Sequence, residues 1–139
     1  MSFKNHAKGD IMVYEVKKDI LGFENTKRVK IVEIDELFST MQDADNEKIS
    51  FTIVNPYVLR EYSFDVPSDV KALLEINDKS KCSVYNIVVI QKPLEESAIN
   101  FLAPIVINND NNTVAQAVLN PQDHPDFGMA ERIKSFTSK

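Results

Sequence analysis

The chain has 139 residues and a net charge of −5, from 16 lysines and arginines against 21 aspartates and glutamates. A hydrophobic fraction of 43% suits one globular core, the acidic excess has the wrong sign for neutralising nucleic-acid phosphates, and no apolar run reaches the ~18 residues of a membrane span. The first ten residues lack the continuous apolar stretch of a secretory signal, and the single cysteine, Cys82, has no partner for an internal disulfide, so a reducing cytoplasmic setting is expected.

Residues 1–11 read as a polar lead, disordered or appended, ahead of one β domain over 12–139. Residues 12–18 predict a first strand, and Ile20-Leu21-Gly22-Phe23 sets a glycine at a turn between apolar neighbours. In 27–34, Val29 and Ile31 alternate with Arg28 and Lys30, the period-2 pattern of a half-buried strand. Asp35 reads as a helix N-cap, followed by a short apolar face of Leu37, Phe38 and Met41. A β-branched and aromatic run over 49–55 predicts a strand that Pro56 stops.

Residues 59–66 alternate Tyr62, Phe64 and Val66 with Glu61, Ser63 and Asp65, which predicts a strand with one wet side. Ser68 is placed to cap a helix whose Val70, Leu73 and Leu74 form a stripe against the sheet. Residues 82–91 are apolar on both faces, as a central strand is. Residues 104–108 and 113–119 form a hairpin around an Asn/Asp-rich turn, and 131–136 predict one or two helical turns. The sum is a mostly β fold: a compact antiparallel β-barrel-like single domain with two or three short helices.

Chemistry is hard to write from these residues. The three glycines are isolated, which excludes dinucleotide and phosphate-cradling loops, and His6 and His124 have no motif that completes a metal shell. Residues 43–47 begin like a calcium loop, but Lys48 and Val54 occupy its glycine and glutamate positions. Cys82, heading an apolar strand, reads as a buried hydrophobe. No cofactor, metal or catalytic group is expected. Glu95-Glu96 is the one carboxylate doublet that tempts a hydrolase reading, and neighbours on a strand would face opposite ways.

Four blocks are more specific. They are Ile20-Leu21-Gly22-Phe23-Glu24, Ile49-Ser50-Phe51-Thr52-Ile53-Val54-Asn55-Pro56-Tyr57, Ile99-Asn100-Phe101-Leu102-Ala103-Pro104-Ile105-Val106-Ile107-Asn108, and Ala115-Gln116-Ala117-Val118-Leu119. In this order they resemble the flagellar assembly factor FliW family over about residues 14–136. Phe101 stands where the family usually has leucine, and Ile99 where threonine is common.

The resemblance implies a β-barrel-like fold without enzymatic activity. It also implies a partner switch: binding of cytoplasmic flagellin and, once flagellin is exported, of the RNA-binding translational regulator CsrA, relieving repression of flagellin synthesis. It marks Asn55, Pro56, Tyr57, Asn100, Ala103, Pro104, Asn108 and Gln116 as candidate partner-binding positions, with strand termination and loop shaping as their competing structural role. The acidic stretch 35–47 (Asp35, Glu36, Asp43, Asp45, Glu47), with Glu95 and Glu96, is the candidate electrostatic surface for a basic partner. Direct nucleic-acid and membrane contacts are not expected, and the free protein is expected to be a monomer. A small-ligand-binding β-barrel is the alternative.

Overall fold

The structure, a computed structural model, describes residues 2–3 and 12–137; the rest of the polar lead lies outside the described residues. Its strands are β1 (Ser2–Phe3), β2 (Val13–Lys18), β3 (Arg28–Glu33), β4 (Phe38–Asp43), β5 (Ser50–Val54), β6 (Lys81–Val89), β7 (Ala98–Ile99), β8 (Ile105–Asn108), β9 (Thr113–Gln116) and β10 (Glu131–Arg132). The helices are α1 (Ser68–Leu74) and α2 (Lys134–Thr137), with 3-10 turns at Pro56–Val58 and Leu94–Glu96.

Seven strands close a barrel in the order β2-β3-β4-β5-β6-β8-β9, with β9 returning to β2. Sequential neighbours run antiparallel. A ring of alternating directions closes antiparallel only with an even number of strands. With seven, the first and last point the same way, and the β2–β9 seam is parallel. The register slips there between Val16 and Lys18. β1 adds in parallel to β6, while β7 and β10 form a small second sheet on its far end.

Every ring strand sends side chains inward. Tyr14, Val29, Met41, Ile53, Tyr85, Ile105, Ile107 and Val114 form one cluster, none more than 7% exposed. Side chains thus fill the interior, as expected for a small barrel. Outside the wall, Val66, Val70 and Leu74 pack on Val106, Ala115 and Ala117, where two alanines let α1 approach closely. A second outer cluster joins Tyr62, Val84, Val88, Ile99, Phe101 and Ile133. β6 is therefore covered on both faces: Tyr85 and Ile87 belong to the interior and Val84 and Val88 to the outer layer.

Gly22 takes φ +88, left-handed backbone that residues with a Cβ resist, and Phe23 N–H closes the turn on Ile20 C=O at 2.8 Å. Asn112, in the predicted hairpin turn, has φ +56.

Four local expectations are corrected. Residues 35–41 are not helical: Asp35 Oδ1 accepts the N–H groups of Leu37 and Phe38 at 2.9 and 2.7 Å, and β4 follows. A carboxylate does the same accepting in an Asx turn as at a helix N-cap. Pairing with β3 and β5 on both sides decides the outcome and turns Met41 into the barrel opposite Ile31 and Phe51. Residues 59–66 keep the predicted alternation of burial but enter no ladder. Ser68 is the first helical residue, with Pro67 at the cap position and no side-chain cap; Leu73 of the predicted stripe is exposed. In 131–136, β10 precedes the short α2.

Candidate functional site

The candidate residues fall into three places. The first is the path from β7 to β8 beside β6. Val88 faces Ile99 and Val89 faces Ala98, so an unbroken antiparallel ladder would set Tyr85 opposite residue 102. It faces Ile105 instead. Three extra residues are thus looped out between the two strands, at the Asn-x-x-Ala-Pro block.

This excursion is buried, and its backbone carbonyls are all engaged. Asn100 C=O accepts from Asn86 Nδ2 at 3.0 Å, Phe101 C=O from the Tyr62 hydroxyl, and Leu102 C=O from Leu119 N–H. Ala103 C=O accepts from Gln116 Nε2 at 3.2 Å and Pro104 C=O from Ala117 N–H at 2.8 Å. Asn100 Oδ1 caps the turn by accepting Leu102 N–H at 2.9 Å. Because an unpaired buried carbonyl costs about 1–3 kcal/mol, a buried excursion needs a donor at each of these carbonyls.

Gln116 works at both ends of its amide. Its Oε1 also accepts Leu21 N–H at 2.8 Å, tying the Gly22 turn to the seam where the parallel ladder ends. Asn108, 1% exposed, donates to Leu74 C=O at 2.8 Å and accepts Asp110 N–H at 2.9 Å. It fixes the end of α1 to the hairpin. Ala103 and Pro104 are buried. Asn108 and Gln116 thus use both ends of their side-chain amides inside the fold, and Asn100 uses its Oδ1.

The second place is the end of the barrel where the 34–37 turn meets the 55–58 turn. Asn55 N–H donates to Leu37 C=O at 2.8 Å, and Phe38 pairs with Val54. Asn55 Oδ1 accepts Tyr57 N–H at 3.1 Å, the local bond expected of a strand-terminating asparagine, and Pro56 is buried. Ile34, Tyr57 and Val58 stay exposed here, beside exposed Asp35 and Glu36. Although Tyr57 is 38% exposed, desolvation of its hydroxyl pushes the phenol up to about 12, with the nearby Cys82 thiol adding to the shift; Cys82, itself buried, is raised to about 11.

The third place is the turn between β4 and β5, at the opposite end of β4. Asp43 is 6% exposed and accepts Asp45 N–H and the Thr26 hydroxyl, each at 2.8 Å, and Asn46 N–H at 3.2 Å. These bonds, the Asp45 amide first, hold its carboxyl below the usual range. Asp45 pairs with Arg28 at 2.6 Å and Glu47 with Lys30 at 3.6 Å. β4 therefore splits the acidic stretch between its two ends, and neighbouring β3 cations neutralise one of them. Glu95 and Glu96 sit on a 3-10 turn elsewhere; Glu96 pairs with Lys134 at 2.6 Å and Arg132 at 3.3 Å. The Lys134 contact and the surrounding positive charge lower its carboxyl.

Sequence reasoning missed the polar knot that secures the excursion. Asn86 is fully buried in β6 and donates to both Tyr62 Oη and Asn100 C=O. An amide in the middle of an apolar strand was the available signal, since such a group needs partners. Arg60 also stands out: its guanidinium lies 5.0, 5.1 and 5.5 Å from the ring centroids of Phe101, Phe127 and Phe136 and 3.3 Å from Glu131. Its role depends on long-range neighbours and left no local mark. Among the described residues there is no group of three His, Cys, Asp or Glu placed to hold a metal ion. Nor is any helix there long and apolar enough to cross a membrane.

The sequence profile of the FliW protein family matches residues 4–132. The chain belongs to the FliW family. It is 49% identical over 128 residues to flagellar assembly factor FliW 1 of Wolinella succinogenes, covering 92% of this chain and all of that protein. It is 43% identical to flagellar assembly factor FliW of Sulfurimonas denitrificans, with 92% of this chain and all of that protein covered. With FliW 1 of Helicobacter pylori the identity is 46%, over 92% and 96% of the two chains. A crystal structure of the flagellar assembly factor FliW superposes with a TM-score of 0.78 at 20% identity, covering 96% of this chain and 95% of that one. The protein is thus a FliW-family flagellar assembly factor, and the FliW barrel is the expected fold.

Proposed function

We propose that this FliW-family protein binds flagellin in the cytoplasm and, when flagellin is exported, binds a CsrA-type translational regulator and relieves its repression of flagellin synthesis. Full-length similarity to several flagellar assembly factors carries this reading. The filled barrel interior favours a protein partner over the alternative of a small enclosed ligand.

The surface proposed for the regulator is the end of the barrel bearing Asp35, Glu36, Asn55 and Tyr57. There, acids without a cationic partner among the described residues adjoin exposed Ile34 and Val58. A protein that presents basic residues to RNA is attracted to such a field, and the same field repels phosphates. The neutralised turn holding Asp43, Asp45 and Glu47 contributes less.

The test uses purified flagellin and CsrA-type regulator from one flagellated bacterium. The immobilised protein should retain flagellin when both are offered and the regulator when flagellin is withheld. Retention of neither defeats the proposal.

A further inference from the structure

A second surface lies where residues 59–66, which continue the 55–58 turn, run beside the turns of residues 121–127. Together they enclose an open groove of about 620 Å³. Phe127 and Phe136 line it along with Arg60, whose charge is already engaged by Glu131 and the aromatic rings. Its other walls carry Glu61, Asp123 and Asp126. None of these three carboxylates lies within ion-pair distance of a cation among the described residues, so the groove has an acidic rim around a floor where Arg60 lies over the Phe127 and Phe136 rings. His124 stacks on Phe127, the rings 3° from parallel, which holds that wall in place.

The third property is in the backbone. Residues 59–66 alternate exposed and covered side chains as a strand does, yet they pair with no strand of the sheet. Tyr62 and Val66 anchor the segment in the two outer clusters. Among the described residues, Ser63 N–H and C=O have no hydrogen-bond partner. Ser63 is one of the residues that line the groove. An extended chain with unused ladder groups accepts an incoming strand.

We infer that this groove is a second docking site, which takes an extended basic peptide segment by strand addition to residues 61–65. Main-chain bonds to Ser63 hold the peptide, alternate lysine or arginine side chains meet Glu61, Asp123 and Asp126, and the intervening apolar side chains rest on the parts of Phe127 and Phe136 that line the groove beside Arg60. The inference does not depend on which protein docks at Asp35–Tyr57.

A fluorescein-labelled nonapeptide of alternating valine and lysine, titrated with the full chain and followed by anisotropy, tests it. Binding is expected. The double variant Asp123→Asn, Asp126→Asn should weaken it about five- to tenfold, as loss of two exposed ion pairs does. The same peptide methylated on alternate backbone nitrogens should lose a comparable factor in one of its two methylation registers, and a glutamate-for-lysine peptide should not bind. The double variant Asp35→Asn, Glu36→Gln should bind like the parent. Absence of binding to the parent protein overturns the inference, as does equal binding by both N-methylated peptides or by the Asp123/Asp126 variant. Flagellin and regulator capture, measured on the same variants, separates failure here from failure of the proposed function.

Discussion

The excursion between β7 and β8 and the turn at Asp35-Glu36 differ in a way that local sequence conceals. The excursion, with Asn108 and Gln116 of the hairpin that follows it, carries asparagines, a proline and a glutamine next to apolar residues, a composition that reads as a rim where a partner is held. Its polar groups are used within the fold, on each other and on Leu21, Asn86 and Ala117. The turn carries two acids that read as the start of a helix. It forms an Asx turn that leaves Glu36 and Ile34 in solvent. A family signature can therefore mark a covalent detour that needs specific partners, while the exposed surface sits on an unremarkable turn.

Substitutions sharpen this contrast, with the largest stability effects in the excursion. Phe101 is fully buried and touches the rings of Tyr62 and Phe136. Phe101→Ala should lower unfolding free energy by about 3–5 kcal/mol, read by urea denaturation. Gln116→Ala strands Ala103 C=O and Leu21 N–H and should cost about 1–3 kcal/mol; a neutral effect would mean that the seam tolerates both groups unpaired.

Asp43 is intermediate, and its effect depends on pH. Its folded carboxyl titrates below the unfolded value, so its contribution is present above about pH 4. That contribution is lost as pH falls through the native pKa. Asp43→Asn should cost about 1–2 kcal/mol at pH 7, and thermal unfolding should show the gap from the parent narrowing towards pH 3. A gap that is constant with pH would remove the charge from the explanation.

The double variant Asp35→Asn, Glu36→Gln should change stability by less than about 0.5 kcal/mol, because asparagine keeps the turn acceptor. Its effect should appear in association with a CsrA-type regulator. The on-rate should slow several-fold at low salt and recover towards the parent's at high salt. Asp45→Asn with Glu47→Gln removes the same formal charge from the paired turn, so a stopped-flow comparison decides whether position or net charge matters. Equal slowing by both would assign the effect to net charge.

The barrel was legible because periodicity reports which faces are buried. Alternation in 27–34, doubly apolar character in 82–91 and the turn residues at Gly22 and 109–112 each have one local physical cause. The acidic stretch was misread because an aspartate that accepts two backbone N–H groups looks the same before a helix and before a strand. Residues 59–66 were misread because alternation reports burial and not ladder pairing. Tyr62 and Val66 are anchored by the outer clusters rather than by a neighbouring strand.

By itself the sequence determined a mostly β fold, its family, most of its barrel strands though not β4, and the absence of familiar catalytic motifs, since these rest on side-chain pattern and composition. Only the tertiary structure decided that seven strands close with a parallel seam. It also showed that three extra residues create the buried excursion, and that Arg28 and Lys30 pair with acids at one end of β4 while Asp35 and Glu36 at the other have no cationic partner among the described residues. Strand parity, register and charge pairing depend on residues far apart in the chain, and no local pattern encodes which of them meet.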